Sequence, residues 1–149
     1  MSQEPRTLQA LRAADIMTRN PVTMDITGTV QEAADLMCAA DVRHIPVVEH
    51  GTLVGMISDS DLRSYMLPRP ERIFRPDEER ARLAVSVSAV IPSDVMTARP
   101  DTLVADLLDI LLEEKIGAVP VLAPETGNLL GIVSYIDVLR AVRPFVHSA

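Results

Sequence analysis

The sequence predicts an α/β (α+β) fold made of two tandem β-α-β-β-α repeats, packed sheet to sheet about a pseudo-two-fold axis. Three observations lead there. The first is internal repetition: Val42-Arg43-His44-Ile45-Pro46-Val47-Val48 aligns on Ile116-Gly117-Ala118-Val119-Pro120-Val121-Leu122, which sets Pro46 on Pro120. The second is the core palette. Of 149 residues, 48% are hydrophobic but only 3% aromatic, with no Trp, so the interior is aliphatic. Branched residues suit strands and Leu and Ala suit helices. The third is that strand and helix signals recur in the same order in both halves.

The same register pairs Thr23 with Thr97 and Asp35 with Asp109. Gly55-Met56-Ile57-Ser58 falls on Gly131-Ile132-Val133-Ser134 once two extra residues are allowed in the turn at 123–128, where added length costs little. Asp15-Ile16-Met17-Thr18 resembles Asp94-Val95-Met96-Thr97, but setting Asp15 on Asp94 disagrees with everything downstream. The consistent register puts Met17 over Ile91 and Val22 over Met96.

Each element follows from local chemistry. Val22-Thr23-Met24 reads as a short strand. Thr29 with Glu32 one turn later is a capping box that opens a helix to about Ala40. Its apolar positions Val30, Ala33, Ala34, Met37 and Cys38 recur at helical spacing, which puts Cys38 on the core face as an inert thiol. Residues 45–48 and 53–57 form a strand pair around the His50-Gly51 turn, and a helix runs from near Asp59 to before Pro68. Repeat two follows suit, with Leu103, Leu107, Ile110 and Leu111 on a buried helical face.

The boundaries are residues 1–66 for the first domain (repeat core 13–66), 67–85 for a linker, and 86–149 for the second domain (repeat core 86–143). Pro68, Pro70 and Pro76 keep the early linker irregular, and Pro76-Asp77-Glu78-Glu79 starts a short helix. Arg69, Arg72, Arg75, Arg80 and Arg82 alternate there with Glu71 and these acids. That is the pattern of a solvated helix, or of arginines that reach a ligand or partner. A repeat of this size is marginal alone, and pairing two buries their apolar faces while leaving two clefts suited to small ligands.

Net charge is −7 and the pI about 4.9, which opposes a nucleic-acid partner; aromatic poverty opposes base stacking. A single cysteine allows no intrachain disulfide. The stretch from Met1 to Asp15 does not read as a signal peptide, and no apolar run approaches a membrane span, so a cytoplasmic location is expected. His50 in a turn and His147 in the tail carry no functional signal, and no clustered set suggests a metal.

The chemistry concentrates where a strand enters a helix through Ser-x-x-Asp, at Ser58/Asp61 and again at Ser134/Asp137. Capping alone would explain each pair. The same geometry offers a helix N-terminus for phosphate and a carboxylate for both hydroxyls of a ribose. Arg43 and His44 can supply the positive charge that phosphate needs near Asp61. Gly117 and Ala118 occupy those positions in repeat two, so the two sites are not equivalent.

These motifs, with Asp15-Ile16-Met17-Thr18 and Pro21-Val22-Thr23, resemble a tandem pair of CBS domains, the regulatory module named after cystathionine beta-synthase, of the stand-alone type. The resemblance covers all but the linker and termini. It implies that AMP, ADP, ATP or S-adenosylmethionine binds between the repeats as a regulatory ligand, with no cofactor required. It makes Asp61 and Asp137 ribose ligands and puts Ser58 and Ser134 near phosphates. It points Thr23 and Thr97 into the clefts, flanked by Val22, Met24, Met96 and Ala98, and offers Ile45 and Val119 as walls for adenine. It also implies a homodimer, for which Leu62, Met66, Val138, Leu139 and Val142 would supply an apolar surface.

The expected function is therefore energy sensing: an adenosyl ligand is bound and a partner protein reads the result. The alternative is a protein-interaction module without ligand. An enzyme is not expected, and no catalytic residue is assigned, because Asp61 and Asp137 fall in different clefts and Cys38 sits mid-helix on the expected core face.

Overall fold

The computed structural model describes residues 7–66, 75–92 and 94–147. In chain order the elements are α1 (Ala13–Ile16), β1 (Thr18–Arg19), β2 (Met24–Asp25), α2 (Val30–Ala40), β3 (His44–Glu49), β4 (Thr52–Ser58) and α3 (Asp59–Met66). There follow α4 (Pro76–Leu83), α5 (Val104–Glu113), β5 (Ala118–Leu122), β6 (Leu129–Ser134) and α6 (Tyr135–His147). The fold is mixed α+β with two small three-stranded sheets, ordered β2-β3-β4 and β1-β6-β5.

The chain divides into two compact units, 22–95 and a discontinuous unit of 1–21 with 96–149. In the 22–95 unit, β2 runs parallel to β3 with Met24 beside Val47, and β3 pairs antiparallel with β4 from His44↔Ser58 to Glu49↔Thr52. His50 and Gly51 close this hairpin, both at positive φ (50° and 77°), the conformation a two-residue loop needs to match strand twist. Thr29 accepts from the amide of Glu32, whose carboxylate accepts from the amide of Thr29, completing the expected capping box. Met24, Val30, Ala33, Met37, Ile45, Val47, Ile57, Leu62 and Val87 form the core.

The discontinuous unit repeats this plan with one addition. Ala98 bridges Val121 in parallel, the counterpart of Met24 beside Val47, and β5 pairs antiparallel with β6. The ladder shifts register between Val47 and Val48 and again between Val121 and Leu122, the same place in each repeat. The added strand is β1, which joins the free edge of β6 with Thr18 opposite Ile132. The lead-in before it is stitched into this unit: Val104 donates to the carbonyl of Leu11, Ala13 to that of Thr102 and Ala14 to that of Pro100. Leu11 and Ala13 belong to this unit's core with Val104, Leu107, Leu111, Val119, Val121, Val133 and Val138.

Several expectations need correcting. The strand expected from Val22 begins only at Met24, as β2, so Val22 and Thr23 precede it as exposed chain outside any strand. Cys38 is exposed, because Ala33 and Met37 take the inward face of α2 and the next position turns about 100° away. Leu62 and Val138 are buried in their own units' cores and offer no surface to a second molecule. Helix α5 has no side-chain cap, since Leu103 stands at its N-cap where α2 has Thr29. The helix expected at Pro76 is present as α4, with no buried residue, while Arg69, Arg72, Pro68, Pro70 and Glu71 lie outside the described residues.

Candidate functional site

Each unit carries a strand-to-helix junction fixed by reciprocal hydrogen bonds. In the 22–95 unit, Ser58 donates its amide to Asp61 Oδ2 (2.9 Å) and Asp61 donates its amide to Ser58 Oγ (3.0 Å). The junction satisfies two amides that a helix start leaves unpaired and keeps both side chains half-buried. Asp61 Oδ1 accepts no hydrogen bond from a described residue, so one carboxylate oxygen is held and the other is available.

His44 and Arg43 meet this junction through the sheet. His44 lies opposite Ser58 in the ladder, and the amide of Asp59 donates to the carbonyl of Arg43 at 2.9 Å. Burial pushes His44 below the ordinary imidazole range; Asp59 and Asp61 pull it back up, and Arg43 lowers it further. Around the start of α3 the structure thus gathers Arg43, His44, Ser58, Asp59 and Asp61. Thr23 is exposed one residue before β2. Ile45 sits inside the core with no exposed surface.

The other unit differs at the equivalent atoms. Asp137 is 8% exposed, and its Oδ2 accepts from the amide (2.9 Å) and hydroxyl (3.2 Å) of Ser134. Its Oδ1 accepts from the Thr18 hydroxyl at 3.3 Å and lies 3.7 Å from Arg140. Gly117 and Ala118 bring no charge to this junction, where Tyr135 donates its amide to the carbonyl of Gly117. Thr97 is exposed ahead of Ala98, and Val119 is wholly buried in the core. Sequence reasoning missed Thr18 and Arg140 as partners of Asp137 and Asp59 as a partner of Arg43 and Arg63. The spacing of Asp59 to Arg63, one helical turn, was a visible signal for the last; the pairing of Thr18 with Asp137 had none. Among the described residues, no group of three or more His, Cys, Asp or Glu side chains is placed to hold a metal ion.

Two duplicated α+β units, each with a Ser-x-x-Asp junction between a hairpin and a helix, define a tandem-repeat architecture. The family model described as the CBS domain matches residues 13–68 and 87–144, and the chain belongs to this family. It is 30% identical over 123 residues to the CBS domain-containing protein YhcV of Bacillus subtilis, covering 83% of this chain and 79% of that protein. It is also 30% identical to an inosine-5'-monophosphate dehydrogenase of Chlorobaculum parvum, of which it spans only 23%. Among solved structures, CBSX2 in complex with AMP superposes with a TM-score of 0.73 at 26% identity, covering 91% of this chain and 98% of that one. No helix among the described residues is long and apolar enough to cross a membrane.

Proposed function

We propose that this chain is a non-catalytic regulatory module that binds an adenosyl ligand (AMP, ADP, ATP or S-adenosylmethionine) and signals its level to a partner protein. The observation that carries the reading is Asp61, held through Oδ2 by Ser58 while Oδ1 accepts from no described residue, beside Arg43 and His44. A ribose diol donates to that oxygen, Ser58 lies beside the phosphate, and Arg43 supplies charge, with Thr23 at the margin. The AMP bound by CBSX2 supports the ligand class. Asp137, Ser134, Thr97 and Val119 form the counterpart in the second unit, which is weaker because Thr18 and Arg140 already engage its carboxylate. Ile45 and Val119 support such sites from behind, as core.

The module acts in the cytoplasm as a homodimer. Ile136, Leu139 and Val146 on α6 are exposed (44%, 61% and 72%), and a second copy covers them. A ligand-free interaction module is the second reading, favoured by the fact that both Ser-x-x-Asp pairs are complete as caps without any ligand.

A thermal-shift series with AMP, ADP, ATP and S-adenosylmethionine separates the two. At about 100 times its dissociation constant a ligand adds about 2.7 kcal/mol, a clear rise in midpoint. The rise should be lost in Asp61→Ala and reduced less in Asp137→Ala. No rise with any of the four compounds leaves the interaction module.

A further inference from the structure

We infer that Asp59 is a charge selector that restricts the site at Asp61 to adenosyl ligands carrying no more than one phosphate. The inference rests on the function proposed above and adds the class of ligand that the site admits.

Its basis is the balance of charge around the start of α3. Two arginines lie there, and Asp59 pairs with both: Arg43 Nη1 at 4.0 Å and Arg63 Nη2 at 3.4 Å. Two acids, Asp59 and Asp61, occupy the first turn of the same helix. The local sum of these four side chains is zero, where a polyphosphate site needs a clear excess of cations. His44 does not restore that excess, since burial favours its neutral form.

Geometry makes Asp59 the fixed member of the group. Its amide is tied to the carbonyl of Arg43, and its side chain is 33% exposed, against 71% for Arg43 and 74% for Arg63. The two guanidinium groups are largely solvated, whereas the carboxylate is two-thirds shielded. A single phosphate beside Ser58 can share Arg43 with Asp59. A second and third phosphate bring charge toward the Asp59 carboxylate, and like charges at such separations repel. The opposite case stands in the other unit, where Tyr135 follows Ser134 as Asp59 follows Ser58, and neither Gly117 nor Ala118 carries charge.

The test is isothermal titration of the full chain with adenosine, AMP and ATP at low salt, in the wild type, Asp59→Asn and Asp59→Ala. Wild type should bind AMP more tightly than ATP. Both variants should raise the ATP-to-AMP affinity ratio about fivefold, the scale of a solvated charge pair. Adenosine titration of the variants reports whether they fold. Equal or tighter binding of ATP by the wild type overturns the inference. So does an unchanged ratio in both variants, and in these two cases the adenosyl-binding reading survives. Failure of the wild type to bind any of the three compounds overturns that reading and the inference together.

Discussion

His44 shows how a single side chain joins stability to the site. It lies half-buried on β3 opposite Ser58, and burial lowers its proton affinity in the folded state. A group whose folded pKa lies below its unfolded value binds more protons when unfolded, so acid favours unfolding. Its contribution is complete above the unfolded value, near pH 6.5, and is lost as pH falls from there toward the folded value. Urea midpoints at about pH 7.5 and about pH 5.5 should therefore drop for the wild type by more than for His44→Gln. Equal drops would assign the acid sensitivity to other groups. At this scale the sequence was partly legible. Arg43, His44, Ser58 and Asp61 could be picked out because they recur or fail to recur at fixed spacing. Thr18 could not: its partner Asp137 is 119 residues away, and no periodicity reports a contact at that range.

At the scale of elements, the caps and turns were the readable part. The Thr29/Glu32 box, the His50-Gly51 turn and the helix at Pro76 each depend on residues close together in the chain. Thr29→Ala should cost about 1 kcal/mol by chemical denaturation, the usual worth of an N-cap. Glycines on the hairpins make a sharper comparison. A Cβ on Gly131 would stand 2.8 Å from the backbone oxygen of Thr18 and 2.8 Å from Met17 Sδ, whereas on Gly55 it would meet only the Ile91 side chain, at 2.8 Å. A flexible side chain can yield and a paired strand cannot. Gly131→Ala should therefore destabilise by about 1–3 kcal/mol and Gly55→Ala by distinctly less. Amide exchange at β1 would check it, because the strand is the part pushed away. The misread elements were those settled by packing. Cys38 and Met37 look alike in an apolar pattern, and only the core decides which turns inward.

The whole molecule was legible as a duplication but not in its wiring. The register found in the sequence is the register of the two sheets, with Met24 beside Val47 and Ala98 beside Val121. The path of the lead-in was hidden, because Leu11, Ala13 and β1 are joined to far-downstream partners by backbone hydrogen bonds that any sequence can make. Deleting residues 1–21 removes two core side chains and the edge strand of one sheet, while leaving the 22–95 core intact. Exchange protection should then fall on β5 and β6 and persist on β3 and β4. A uniform loss would mean that the units unfold as one.

That wiring also dictates an order of events on the ribosome. The 22–95 stretch is continuous, so it can close as soon as its last residues leave the exit tunnel. Leu11 and Ala13 emerge earlier yet have nothing to pack against until α5 has been translated, and Thr18 waits longer still for β6. Between the closing of that half and the emergence of α5 and β6, the nascent chain holds one finished half and an unpaired apolar leader, the interval in which a chaperone has something to bind.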